Sequence, residues 1–175
     1  MNRISIQHHD TGIGELVLGS FGGRLCLLGF GGGDMRQVVD ARIGKRLDAD
    51  FVERDDEILQ ETRRQLDEYL IGVRKEFDIP LLLVGTDFQR SVWNALLQVP
   101  YGGTASYLQI ARAIGREKAV RAVGNACGAN PIAVIVPCHR IVGSGGRLGG
   151  YGGGLPLKER LLRMEQSNTT HTPTG

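Results

Sequence analysis

Apolar and polar positions alternate in short bursts over residues 3–30, at Ile4-Ser5-Ile6, Gly14-Glu15-Leu16-Val17-Leu18-Gly19 and Arg24-Leu25-Cys26-Leu27-Leu28-Gly29-Phe30. The breaks between them, Asp10-Thr11-Gly12 and Gly22-Gly23, are turn chemistry. The spacing therefore predicts two or three antiparallel strands in hairpins, ended by Gly31-Gly32-Gly33. A polar, poorly patterned stretch follows. From Asp55 to Val73 the period changes: Ile58, Leu59, Leu66, Tyr69, Leu70 and Val73 fall at helical spacing behind an acidic first turn, and predict an amphipathic helix ending near Gly72. Phe77 to Val84 reads as one more strand, which Pro80 restricts to an edge.

Beyond Gly85 the pattern is helical. Thr86-Asp87-Phe88-Gln89 has the capping-box form, with Phe88, Val92, Trp93, Leu96 and Leu97 as the apolar face behind it; Pro100-Tyr101-Gly102-Gly103 stops that helix. A second box, Ser106-Tyr107-Leu108-Gln109, opens a short helix to Ala113. Ile114-Gly115 makes a turn, and Glu117 to Ala126 is a third helix, rich in small residues and carrying Lys118 and Arg121. Two short helices about a tight glycine turn have the outline of a helix-turn-helix. Asn130-Pro131 leads into Ile132-Ala133-Val134-Ile135-Val136, which reads as a buried strand stopped by Pro137, with Cys138-His139-Arg140 at its exit. Residues 141–154 form a glycine-rich loop around Tyr151. Pro156 starts a last helix through Gln166, and residues 167–175 are expected to be a disordered tail. The pattern predicts an α+β chain: a small antiparallel sheet with a helix over 1–84, then a helical domain with helix-turn-helix, active-site strand and loop over 85–166.

The 175 residues are 41% hydrophobic and 23% charged, which are globular rather than disordered values. No eighteen apolar residues run together and the start of the chain lacks an apolar core, so neither a membrane span nor a signal peptide is expected, and the setting is cytoplasmic. Cys26, Cys127 and Cys138 are an odd number at irregular spacing, neither a disulfide framework nor a paired-cysteine zinc pattern. The glycine-rich loop lacks the strand-to-helix spacing of a phosphate-binding loop, which argues against a nucleotide cofactor. The net charge of +2 hides a division: residues 1–86 hold 11 Lys+Arg against 15 Asp+Glu, and residues 87–175 hold 10 against 4. A basic second half is the footprint of a nucleic-acid-binding face. Of the three cysteines only Cys138 adjoins a histidine and an arginine, which can supply hydrogen-bond and cationic partners to a thiolate. It is the candidate nucleophile; the alternative is a core cysteine at a strand end. Cys127 could compete as a reactive thiol but has no adjoining histidine. Cys26, Phe88 and Trp93 read as core.

Phe88-Gln89-Arg90-Ser91-Val92-Trp93-Asn94-Ala95-Leu96, Pro100-Tyr101-Gly102-Gly103-Thr104, Ser106-Tyr107, Arg121-Ala122-Val123-Gly124, Asn130-Pro131 and Pro137-Cys138-His139-Arg140 are followed by Gly149-Gly150-Tyr151-Gly152-Gly153, and then by Lys158, Leu161-Leu162 and Glu165. In order and spacing these resemble the O6-alkylguanine-DNA alkyltransferases, densely over 85–166 and only in layout over 1–84. The resemblance implies a ribonuclease-H-like first domain and a suicide repair protein without cofactor or metal. Such a protein would be a monomer, able to cluster on DNA, that binds double-stranded DNA bearing O6-alkylguanine, with O4-alkylthymine as a further substrate. It would rotate the damaged base out of the stack and take the alkyl group irreversibly onto its own cysteine.

By position, the resemblance makes Cys138 the acceptor, with His139 and, through a bound water, Glu165 withdrawing its proton. Asn130 would organise the turn around the site, Arg121 would fill the vacated place in the stack, and Tyr107 would rotate the phosphate and donate to the guanine ring. Lys118, Ala119, Ala122 and Gly124 fall on the DNA-facing helix, and Trp93, Ile141, Tyr151, Gly152 and Lys158 around the substrate. The chemistry agrees: displacement at a saturated carbon suits a soft thiolate, guanine leaves more readily with a hydrogen-bond donor, and the alkyl carbon cannot meet a buried sulfur inside the duplex.

Two departures stand out. Cys26 is the only cysteine before Cys127, so the amino-terminal zinc site or four-cysteine domain of some relatives has no counterpart. Gly150 and Gly152 replace residues that are often larger, which predicts room for bulkier alkyl groups. Two rival functions remain: a non-catalytic lesion sensor, against which Cys138 argues, and a helix-turn-helix regulator with a fortuitous cysteine.

Overall fold

The computed structural model describes residues 2–31 and 34–170, and the chain divides into two compact units, Met1–Thr86 with Pro131–Ala133, and Asp87–Asn130 with Val134–Gly175. In the first, β1 (Asn2–Thr11), β2 (Gly14–Phe21), β3 (Arg24–Phe30) and β4 (Ala49–Glu53) form one sheet in the order β3-β2-β1-β4. The pairs β1-β2 and β2-β3 are the antiparallel hairpins that the alternation predicts. Gly22 and Gly23, at φ 59° and 77°, make the second turn in a conformation that costs other residues energy.

The polar stretch after β3 holds two elements that its pattern does not predict, and Gly32 and Gly33 before them lie outside the described residues. α1 (Asp34–Leu47) precedes β4, and β4 runs parallel to β1 with Ile4 opposite Phe51. A parallel pair needs a crossover, which α1 supplies. Its pattern is weak because, among the residues whose side chains are described, only Val39 and Ile43 are buried while Val38 is exposed. α2 (Glu57–Leu70) is the predicted amphipathic helix; Asp56 caps it, accepting from the Leu59 amide and from the Ser20 hydroxyl. α1 packs with Ile4, Val17, Cys26 and Leu27 on one face of the sheet, and α2 covers the face to which Ser20 points. Covered on both sides, Leu16-Val17-Leu18 and Leu25 to Leu28 are buried continuously rather than alternately.

Two expected strands are not strands. The segment around Pro80 meets β3 at one residue, the Leu25 amide donating to the Pro80 carbonyl (2.9 Å) and the Leu82 amide to the Leu25 carbonyl (2.8 Å). Ile132 bridges Leu28 in the same way, through the carbonyl of Pro131 (2.9 Å) and the amide of Ala133 (2.8 Å). Together they cover the outer edge of β3, which would otherwise present unpaired backbone groups. After that bridge the buried, β-branched Val134 takes φ 69°, a left-handed conformation costing about 1–3 kcal/mol. The run therefore bends instead of extending, and Cys138–Arg140 is a single 3-10 turn.

In the second unit α3 (Asp87–Leu96) buries Val92, Trp93 and Leu96 and packs with α4 (Tyr107–Ala113) and α5 (Val120–Gly128). The Ser106–Gln109 capping box is formed reciprocally, at 3.0 and 2.8 Å. α5 starts later than expected, because residues 116–119 make a turn, the Ala119 amide donating to the Arg116 carbonyl (2.8 Å). A short parallel ladder joins β5 (Ala105–Ser106) to β6 (Ile141–Val142), so that Tyr107, the first residue of α4, starts beside the strand leaving Arg140. α6 (Leu155–Thr170) continues past Gln166: Ser167 to Thr170, expected in the tail, are helical, and residues 171–175 lie outside the described residues. Among the described residues no helix is long and apolar enough to cross a membrane.

Candidate active site

Cys138 is half-buried, and its Sγ accepts a hydrogen bond from Asn130 Nδ2 at 3.3 Å; the same nitrogen donates to the Val136 carbonyl at 2.8 Å. One side-chain amide thus closes the bend that replaces the expected strand. Burial pushes the thiol up, and the Asn130 hydrogen bond and the positive charge of Lys158 oppose this without reversing it. The expectation that the adjoining Arg140 partners the sulfur is corrected here. Arg140 holds Glu165 instead, Nε to Oε1 at 2.8 Å and Nη2 to Oε2 at 3.0 Å, while Nη1 donates to the Val99 carbonyl at 2.8 Å and the guanidinium lies 5.7 Å over the Tyr101 ring.

His139 Nε2 meets Glu165 Oε2 directly at 2.7 Å, so the water that the resemblance places before Glu165 does not stand between these two groups. The Gly102 amide donates to Oε1 at 3.3 Å. Burial of Glu165 would raise its carboxyl, but the hydrogen bonds and charges of His139 and Arg140 outweigh it and bring the pKa to about 2. An ionised carboxylate only accepts, so Nε2 carries the histidine proton and Nδ1 the lone pair. Nδ1 is buried and meets no hydrogen-bonding protein group among the described residues. Burial lowers the imidazole pKa against the pull of Glu165, and the charges of Arg140 and Lys158 add to the lowering.

Around this turn the remaining predicted residues divide. Tyr107 packs its ring against Gly124, and its hydroxyl lies so close to Gly149 that a methyl group there would collide with it. Lys158 is fully buried and donates to the Gly149 carbonyl at 3.4 Å. The Tyr151 ring stands edge-on to His139, centroids 6.4 Å apart. Gly150 and Gly152 are exposed, with open space where a side chain would be. Ile141 and Trp93 are core, and the indole Nε1 of Trp93 donates to the Ala126 carbonyl at 2.9 Å. On α5 and the turn before it, Lys118, Arg121 and Ala122 are exposed and Ala119 is the N-cap, without a side-chain cap bond. Burial and the neighbouring Cys138 raise the Cys127 thiol to about 12, Lys158 notwithstanding. The pattern did not signal the Arg140–Glu165–Gly102 network or the Gly149–Tyr107 contact. Pro100-Tyr101-Gly102-Gly103 reads locally only as a helix stop, and these partners are far apart in sequence.

Residues 87–167 match the family model for the DNA binding domain of 6-O-methylguanine DNA methyltransferase, and residues 8–83 match the model for its ribonuclease-like domain. A methylated-DNA–protein-cysteine methyltransferase of Methanosarcina barkeri is 50% identical over 120 residues, covering 69% of this chain and 75% of that protein. The protein of the same name from Methanosarcina acetivorans is 54% identical over 112 residues, covering 64% and 72%. The crystal structure of Mycobacterium tuberculosis OGT in complex with DNA has a TM-score of 0.79 at 41% identity, covering 95% of this chain and 94% of that one. Sequence and fold together place the chain in the methylated-DNA–protein-cysteine methyltransferase family.

Proposed function

We propose that the protein repairs alkylated DNA by moving the alkyl group from O6 of guanine irreversibly onto Cys138, acting as a monomer on double-stranded DNA. The supporting observation is the hydrogen-bonded turn itself: Asn130 on the sulfur, and His139 oriented by Glu165 so that a bare, buried Nδ1 remains. The exposed face of Lys118, Arg121 and Ala122 takes the DNA through its phosphates and groove, which a repair protein must do without reading sequence. Extruding the base costs a few kcal/mol, less for a lesion that pairs badly, and Arg121 occupies the vacated place.

Because its pKa is raised, the Cys138 thiol meets the substrate protonated. His139 Nδ1 takes that proton, directly or through one water, and Glu165 stabilises the imidazolium. The sulfur attacks the saturated carbon, the carbon–O6 bond breaks, and its electron pair passes to the guanine, which receives a hydrogen bond and then a proton from the Tyr107 hydroxyl. The thioether is stable, so each molecule acts once. Incubation with duplex DNA containing O6-methylguanine, followed by weighing of the tryptic peptides, should find one methyl group on Cys138. Cys138→Ala should lose all transfer yet keep lesion binding. Lesion binding without a mass change in the unaltered protein would mean a sensor, and indifference to the lesion a regulator.

A further inference from the structure

Arg160 and Arg163 on α6 are exposed, whereas Lys158 on the same helix is fully buried. Among the described residues its ammonium has one acceptor, the Gly149 carbonyl at 3.4 Å, and no carboxylate pairs with it. An ammonium carries three donors, and a buried one without an anion costs several kcal/mol unless other polar groups meet it. Glu165, the buried acid of the site, is already held by His139, Arg140 and Gly102. The surroundings of Lys158 are those of the reacting group: Gly149 lies against the Tyr107 hydroxyl, and the charge of Lys158 acts on Cys138, Cys127 and His139. Gly150 and Gly152, in the same loop as Gly149, leave open space.

We propose that Lys158 is a subsite for an anionic alkyl group, selecting guanine O6 adducts that end in a carboxylate, such as carboxymethyl, over neutral adducts of the same size. This rests on the alkyl-transfer reading above and names a substrate class for it. A thiolate approaching a CH2 that bears a carboxylate brings two negative charges together, and a desolvated ammonium beside both offsets that repulsion where water cannot. The step balances as before: the Sγ–CH2 bond forms, the CH2–O6 bond breaks, the thiol proton goes to His139 and the guanine gains one from Tyr107. The product is S-carboxymethylcysteine, its carboxylate paired with Lys158.

The test uses three otherwise identical duplexes, carrying O6-carboxymethylguanine, its neutral isostere O6-carbamoylmethylguanine, or O6-methylguanine, and measures single-turnover transfer to Cys138 by peptide mass. The unaltered protein should transfer carboxymethyl about tenfold faster than carbamoylmethyl, a factor that one partly screened charge pair supplies. Lys158→Met should bring the ratio to about one or below, and Lys158→Arg should keep its direction. A ratio of one in the unaltered protein overturns the proposal without reference to any variant, as does a preference that survives Lys158→Met. Absence of transfer from all three duplexes, methyl included, would refute alkyl transfer itself rather than the subsite.

Discussion

Glu165 carries the clearest energetic signature of any single residue. Its carboxyl lies at about 2 in the fold against an ordinary 4.5, so the folded state favours the ionised form. The stabilisation, about 3 kcal/mol, is fully present above the ordinary value and is lost as pH falls through about 2. Thermal unfolding measured down through that window should show Tm falling, while Glu165→Gln should start from a lower Tm at neutral pH and show a shallower acid slope, Asp55 and Glu61 supplying part of what remains. Parallel curves would acquit Glu165. Gly149 makes a different kind of residue-level demand, for space beside the Tyr107 hydroxyl rather than for an unusual backbone angle. Gly149→Ala should displace that hydroxyl and slow transfer by about ten- to a hundredfold, since a shift of the order of 1 Å in a positioned group costs that much. Gly150→Ala, where a methyl group meets nothing within 4 Å, should stay within about twofold of the unaltered protein. Equal rates for the two variants would dissociate Tyr107 from the reaction.

At the scale of elements, the end of α6 is bound to the 100–103 loop. Asn168 Nδ2 donates to the Tyr101 hydroxyl at 3.1 Å, and Gly102, at φ 78°, turns its amide to Glu165 with Thr169 directly behind it. A Cβ at Gly102 would stand 2.6 Å from Thr169 Cγ2. Gly102→Ala should therefore cost about 2–3 kcal/mol in urea unfolding, part from the backbone angle and part from the collision. Thr169→Ala removes the colliding atoms together with the hydroxyl's bonds to the Glu165 and Gln166 carbonyls, so measured against Thr169→Ala by itself, Gly102→Ala should cost about half as much as in the unaltered protein; an undiminished cost would place the whole of it in the backbone.

This clasp also shows what the sequence could and could not disclose. The hairpins, α2 and the Ser106 capping box are local, each written in the spacing of neighbours. Ser167-Asn168-Thr169 looks like a tail because it is polar throughout, yet Asn168 spends its amide on Tyr101, 67 positions away, and Thr169 bonds back to the Glu165 and Gln166 carbonyls within the helix. Ile132 to Val136 looks like a strand because it is apolar and β-branched, but its backbone finds partners in one bridge to Leu28 and in the Asn130 side chain rather than in a ladder. α1 and β4 leave little pattern because, among the described residues, few of theirs are buried, and Arg140 stands beside Cys138 in sequence yet ends on Glu165, since adjacency says nothing of where a long side chain ends.

Over the whole molecule the charge division becomes a statement about binding once internal pairs are set aside. Arg140 is committed to Glu165, Arg112 pairs with Glu117 at 3.0 Å, and Arg163 pairs with Glu159. Arg116, Lys118 and Arg121 are exposed, and among the described residues no acid pairs with them. Each is available to displace one counterion from a phosphate, which contributes about −0.9 to the slope of log affinity against log salt. Lys118→Ala should weaken binding to plain and alkylated duplexes alike and make that slope shallower by about one. Arg121→Ala tests something that salt does not report. If its guanidinium replaces the extruded base, its loss matters only where there is a stack to fill, so transfer from duplex DNA should slow far more than transfer from the free alkylated base. Equal slowing of the two would assign Arg121 to the chemistry of the pocket, and loss of salt slope without slowing would make it one more phosphate contact.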